Sequence, residues 1–222
     1  MEKVKVDKII RSRRRTLSLA ITQDAQLIVR APFGISDKLI KDFVSQKKEW
    51  IEKKQEIAKK RKAQTKTKQF INGEEFFYLG SPYRFRALDR RDIVLTEYLE
   101  FPKSLLPQAR SCLIEWYRAK ALNKISERLD FFVEVTGLRY KSLRISNAYK
   151  RFGSCSASGR LNFAWRLIIA PLQVIDYVIV HELAHLEVRN HSRRFWSKVK
   201  TIIPDYKKYQ RWLKENGHLL VV

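Results

Sequence analysis

The sequence predicts an α+β fold in two parts: a basic β-rich region over residues 1–103 carrying one long helix, then a mostly helical domain over 104–222 with a small sheet. Three observations carry that expectation. Leu17, Leu19 and Ile21 alternate with smaller or polar residues, as they must where successive side chains of a strand point to opposite faces. Apolar residues recur at helical spacing from Ala109 to Phe132 and from Leu172 to Leu183, which marks two helices with faces to bury. The second of these runs ends in His181-Glu182-Leu183-Ala184-His185, and the other elements read as its scaffold.

Residues 3–31 read as an antiparallel meander, with Val4, Val6 and Ile9-Ile10 in a first strand, Leu17 to Ile21 in a second and Leu27-Ile28-Val29 in a third. Arg11, Arg13, Arg14 and Arg15 fall at its first turn, as a phosphate-binding corner or as a solvated hairpin end. Ser36 is a suitable N-cap for a helix that Leu39, Ile40, Phe43, Val44, Trp50 and Ile51 carry from Asp37 to about Lys62. Its second half, with Lys53-Lys54 and Lys59-Lys60-Arg61-Lys62, has almost nothing to bury, and residues 63–69 read as a linker. Strands over 75–79, 83–88 and 93–95, with Gly80-Ser81-Pro82 as a turn, complete one twisted sheet.

In the second part a helix from Pro107 to about Val135 ends at Thr136-Gly137, because glycine readily takes the left-handed conformation that stops a helix. Cys112 lies on its apolar stripe as a small buried residue. Residues 142–148 and 161–165 read as two strands joined by the loop 149–160. The strand around Ile145 is placed to accept an extended peptide as an added strand. Residues 192–203 and 205–216 read as helices, the first packing Phe195 and Trp196 inward to hold His191, the second closed by Gly217. His218 reads as a surface residue.

Lys and Arg number 46 against 23 Asp and Glu, a formal charge of +23. Such a field attracts nucleic acid, nucleotides or an anionic membrane surface. The first 68 residues hold 20 of the basic and 8 of the acidic groups, so a nucleic acid would be expected to dock there. Two cysteines without a C-x-x-C spacing give neither a disulfide framework nor a cysteine-rich zinc knuckle. No run of 18 apolar residues and no apolar segment within Met1–Arg15 is present, so neither a membrane span nor a secretory signal is expected and a cytoplasmic location is.

The chemistry lies in the histidines. Residues four apart on a helix share a face, so His181 and His185 can grip one ion. On a straight helix His191 would stand about 15 Å beyond His181, so the chain must turn back, and Asn190 supplies a stop near Arg189 or Asn190. Three neutral histidines leave the fourth corner of a tetrahedral Zn2+ for water, the mark of a catalytic site. Zinc acidifies that water, and Glu182 is the candidate base, too far round the helix to be a good ligand. The spacing does not say which bond is cut. A peptide carbonyl or a phosphoanhydride would serve, with Tyr149, Arg151 and Arg166 as candidates to meet the developing charge and Ser154 and Cys155 as part of a flanking loop.

His181-Glu182-Leu183-Ala184-His185, Asn190-His191-Ser192 and Phe195-Trp196, preceded by Phe152-Gly153-Ser154-Cys155-Ser156, Asn162 and Trp165-Arg166-Leu167, together resemble the YgjP-like metallopeptidase family. The likeness runs from about Arg11 to Gly217. It implies a zincin-like catalytic domain with one Zn2+ per chain on His181, His185 and His191, Glu182 as acid/base, and the Gly-Ser-Cys-Ser loop in the wall of the site. The family usually has tryptophan where this chain has Phe152. Members are described as metallopeptidases and as nucleoside triphosphate pyrophosphatases acting on UTP, so the resemblance implies either a protein substrate or a nucleotide.

Overall fold

The structure is a computed structural model that describes residues 4–65 and 67–222. The chain gathers into two compact units that divide between residues 66 and 67, and not at 103/104 as read from the sequence.

In the first unit β1 (Lys8–Ser12), β2 (Ser18–Ile21) and β3 (Leu27–Pro32) form a sheet in the order β1-β3-β2. The expected antiparallel meander is corrected here, since β1 runs parallel to β3 with Ser12 opposite Pro32. The connection from Ser12 to Ser18 passes the end of β3 and delivers β2 to its far side, antiparallel, with Ser18 opposite Arg30. Val4 and Val6 precede β1, and residue 3 lies outside the described residues. As the central strand, β3 buries Leu27, Val29 and Ala31 completely. Ile40, Val44 and Ile51 cover them from α1 (Asp37–Gln46) and α2 (Lys48–Gln64). The single helix read from the sequence is thus interrupted at Lys47, whose φ of −104° and ψ of 16° leave the helical region. Arg11 is taken up locally: its guanidinium donates to the carbonyls of Phe33 and Ile35 at 3.2 and 2.7 Å and pairs with Asp37 at 2.6 Å.

The second unit opens with β4 (Glu75–Tyr78), β5 (Ser81–Leu88), β6 (Val94–Leu95) and β7 (Tyr98–Pro102), in the order β4-β5-β7-β6. The β-rich region therefore holds two sheets where one was expected. The β4–β5 turn falls at Leu79-Gly80, both left-handed with φ of 49° and 82°, one residue ahead of the Gly-Ser-Pro turn read from the sequence. Two left-handed residues match the twist of the strands they join. Phe76, Phe85, Leu99 and Phe101 alternate onto the core side of this sheet.

The same core takes the stripe of α3 (Ala109–Thr136), where Leu113, Tyr117, Ala121, Ile125 and Leu129 are buried at every fourth position. Removing each large side chain from water stabilises the fold by roughly 1.5–3 kcal/mol. Gly137, at φ 69°, ends the helix. A third sheet, β8 (Ser142–Ser146), β9 (Gly153–Cys155) and β10 (Arg160–Ala164), has the order β8-β10-β9, which leaves β9 on one edge. Beneath it lies α4 (Leu172–Ala184), buried nearly all round, followed by α5 (Arg193–Ile202) and α6 (Tyr206–Asn216). Gly217 does not close α6 with a left-handed turn; at φ −59° it continues into a short 3-10 turn, and the reason for glycine there is a neighbour described below. His218 is half-buried and not a free surface residue.

Candidate metal centre

The histidine helix stops at Ala184, with His185 as its C-cap. That is five or six residues earlier than the expected Arg189 or Asn190, and Asn190 is not left-handed. The chain turns instead through the amides of Leu186 and Val188, which donate to Leu183 and Ala184 carbonyls at 3.0 Å each. Val188 is then buried, and its carbonyl faces the ring of His185. A tight turn at this point is what brings His191 back to the helix.

His181, His185 and His191 converge, each offering a ring nitrogen within 4.8 Å of the others. The ring centroids stand 4.9, 5.0 and 4.8 Å apart, and Nε2 of His181 lies 3.0 Å from Nε2 of His191. Ligand nitrogens around a tetrahedral zinc are about 3.3 Å apart, given Zn–N bonds of about 2.0–2.1 Å, so the separations suit a metal of that size. Nδ1 of His185 is 3.0 Å from the Val188 carbonyl. A proton on Nδ1 is donated there, which leaves Nε2 with its lone pair toward the other rings.

Aromatic rings hold the cluster from behind. Phe195 stacks on His185 at 4.5 Å, Trp196 stacks on His191 at 5.6 Å, and Tyr177 meets the edge of His181 at 5.9 Å. The sequence reading of Phe195 and Trp196 as anchors for His191 agrees with these contacts. Nδ1 of His181 is buried without a partner among the described residues, so packing fixes that ring. Burial, with His185 and His191 beside it, pushes the His181 pKa down to about 3, and burial first also lowers that of His185. Both rings are neutral at physiological pH, the state a metal requires of them.

Glu182 is 6% exposed, and burial raises its pKa to about 7 against the opposing effects of Arg151 and of a backbone hydrogen bond from Cys155. Its carboxylate lies directly under β9. A Cβ built on Gly153 would stand 2.5 Å from Oε1 and 2.6 Å from Cγ, closer than atoms approach without displacement. The resemblance put the Gly-Ser-Cys-Ser loop in the wall of the site, but sequence reasoning gave Gly153 itself no role there. The need for glycine is set by a residue 29 positions away and leaves no local signal.

The structure brings the other expected site residues to the same strand and its flanks in different ways. Ser154 and Cys155 are half-buried in β9 itself. Tyr149 and Arg151 are exposed in the loop before it. Arg166 is 6% exposed, with its guanidinium 4.6 Å from the Tyr149 ring and 4.8 Å from the Phe152 ring, and it donates to the Tyr149 carbonyl. Phe152 in turn abuts Gly217, where a Cβ would meet its ring at 2.9 Å. Arg189, not singled out from sequence, donates to the carbonyls of Ser156 and Ala157 at 2.7 and 2.9 Å and ties the β9–β10 turn to the segment between two histidines.

Over residues 15–216 the sequence matches the YgjP-like metallopeptidase domain. The chain belongs to the YgjP-like family. Two solved structures are similar to part of it. The metallopeptidase zymogen of Pyrococcus abyssi abylysin is 21% identical, with a TM-score of 0.38, over 41% of this chain and 93% of that one. That of Methanocaldococcus jannaschii jannalysin is 14% identical, with a TM-score of 0.38, over 41% and 94%. No curated protein matches the sequence. Among the described residues, no helix of this YgjP-like chain is long and apolar enough to cross a membrane.

Proposed function

We propose that the chain is a zinc-dependent peptidase, with Nε2 of His181, His185 and His191 holding Zn2+ and Glu182 acting as general base and acid. The observation that carries this is the placement of a buried, high-pKa carboxylate one residue from the first of three convergent imidazoles. When bound there, zinc supplies Lewis-acid polarisation of a carbonyl and acidification of water. Glu182 takes a proton from the attacking water on its carboxylate and delivers it to the leaving amine nitrogen. A base with a pKa near 7 is matched to that exchange at neutral pH.

β9 supports the peptide reading. It is the edge of its sheet and lies against Glu182, and an edge strand offers main-chain groups to an extended peptide. The strand around Ile145, chosen from sequence for this task, is β8 at the opposite edge, and Ile145 itself is buried. Ser154 and Cys155 then contribute backbone to the substrate strand, Tyr149 and Arg151 stand at its entrance, and Arg166 fixes their loop. A second reading, cleavage of a nucleoside triphosphate such as UTP at the same centre, is favoured by the net charge of +23.

The deciding experiment incubates zinc-loaded protein with casein and, separately, with UTP. Casein cleavage that falls by about 10²–10⁴-fold in Glu182→Gln, with one zinc retained per chain, is the expected result. Pyrophosphate release from UTP with casein left intact would replace the first reading by the second.

A further inference from the structure

Four arginines gather on β9 and its flanks, and three of them are committed: Arg160 donates from Nε to the Ser158 hydroxyl at 3.0 Å. Arg189 is spent on the carbonyls of Ser156 and Ala157. Arg166 is spent on the Tyr149 carbonyl and the rings of Tyr149 and Phe152. Glu187, the carboxylate between the second and third histidines, is paired with Lys198 at 2.6 Å. Arg151 differs from all of these. Its side chain is exposed, and no hydrogen bond or ion pair with a described residue engages it.

Its position is nevertheless fixed by its neighbours. Arg151 stands two residues before Gly153, whose Cα is pressed onto the Glu182 carboxylate, and next to Phe152, which is held between Arg166 and Gly217. Two residues of chain span at most about 7 Å, so Arg151, just ahead of β9, stays within that reach of Gly153. A peptide paired along β9 with its scissile carbonyl at the three histidines would therefore set a side chain one or two residues away opposite the guanidinium. An unpaired guanidinium at that point attracts a carboxylate and repels a cation.

We propose that Arg151 selects substrates with an acidic side chain within about two residues of the scissile bond. The proposal rests on the peptidase reading and adds a preference to it. Arg151 contributes through binding, so its effect falls on KM before kcat.

The test digests a synthetic peptide mixture of randomised sequence with the zinc-loaded full-length protein and reads the cut sites by mass spectrometry. Wild type should show Asp and Glu enriched within two residues of the cut. Arg151→Lys should keep the enrichment, and Arg151→Glu should invert it toward Lys and Arg. For a matched Asp/Asn peptide pair, Arg151→Ala should reduce the Asp preference by about tenfold, chiefly through KM. Cutting by wild type without acidic enrichment, or an unchanged profile in Arg151→Glu, would overturn the selection while leaving the peptidase intact. No cutting of any peptide by wild-type protein with one zinc bound would overturn both.

Discussion

Gly153 and Glu182 occupy each other's space: the glycine has no Cβ, and the carboxylate fills the volume a Cβ would need, 2.5 Å from its Oε1. Gly153→Ala is expected to push the carboxylate off its line and to cost about 1–3 kcal/mol in stability, as overpacking does. Turnover should fall by about 10²-fold, the usual effect of a misplacement near 1 Å. Zinc stoichiometry should stay at the wild-type value, because no histidine is touched. Wild-type rates in Gly153→Ala would show that Glu182 tolerates another position.

The high pKa of Glu182 has a consequence for stability without metal. Its folded pKa of about 7 lies above the ordinary 4.5, so the stability it confers is complete below pH 4.5 and is lost as pH rises through 7. Glu182→Gln, which mimics the protonated form, should match metal-free wild type near pH 4.5 and exceed it by about 3 kcal/mol at pH 8. Denaturant titrations at both pH values read the difference. Equal curves at pH 8 would mean that the carboxylate is not buried as described.

Removing the histidines separates binding from folding. His181→Ala, His185→Ala and His191→Ala should each lose tight zinc binding. His181 packs on Tyr177, Phe195 and Trp196, so its loss should also destabilise the metal-free fold by about 2 kcal/mol. His191 is exposed, and His191→Ala should change the metal-free fold by less than about 0.5 kcal/mol. In wild type, zinc at 100 times its Kd should add about 2.7 kcal/mol, and a chelator should abolish that gain. Retention of tight zinc by His191→Ala would remove it from the ligand set.

Arg166 and Gly217 clamp Phe152 from two sides. Gly217→Val should drive a side chain into the Phe152 ring and destabilise the fold by about 1–3 kcal/mol. Arg166→Ala should cost about 2–3 kcal/mol, since it removes packing under both Tyr149 and Phe152 and strands the Tyr149 carbonyl. Thermal unfolding of the two variants checks this, and Gly217→Val combined with Phe152→Leu should recover part of the loss.

What could be read from the sequence was what is local. The histidine spacing, the every-fourth-residue burial of α3 and the stop at Gly137 are written within a few turns of helix, and each is present. The parallel pairing of β1 with β3 was missed because the Arg-rich connection looks like a hairpin and nothing nearby says that it crosses β3. β9, three residues long inside a Gly/Ser-rich loop, is too short to show alternation. The helix end was misplaced because Asn190 is the conventional stop, whereas the actual turn is made by the amides of Leu186 and Val188. Arg151, Arg166 and Arg189 look alike as letters. Only their partners distinguish a free guanidinium from two that are structural.

The β4–β5 turn is stitched to the approach of the histidine helix: the amides of Leu79 and Gly80 donate to the carbonyls of Ile168 and Ile169 at 2.9 and 3.1 Å, and a Cβ on Gly80 would strike Pro171 at 2.8 Å. A fragment trimmed to begin at residue 104 would therefore expose the aromatic side of α3 and orphan two acceptors just ahead of the histidine helix. The minimal autonomous piece for crystallisation or engineering should start near Thr67.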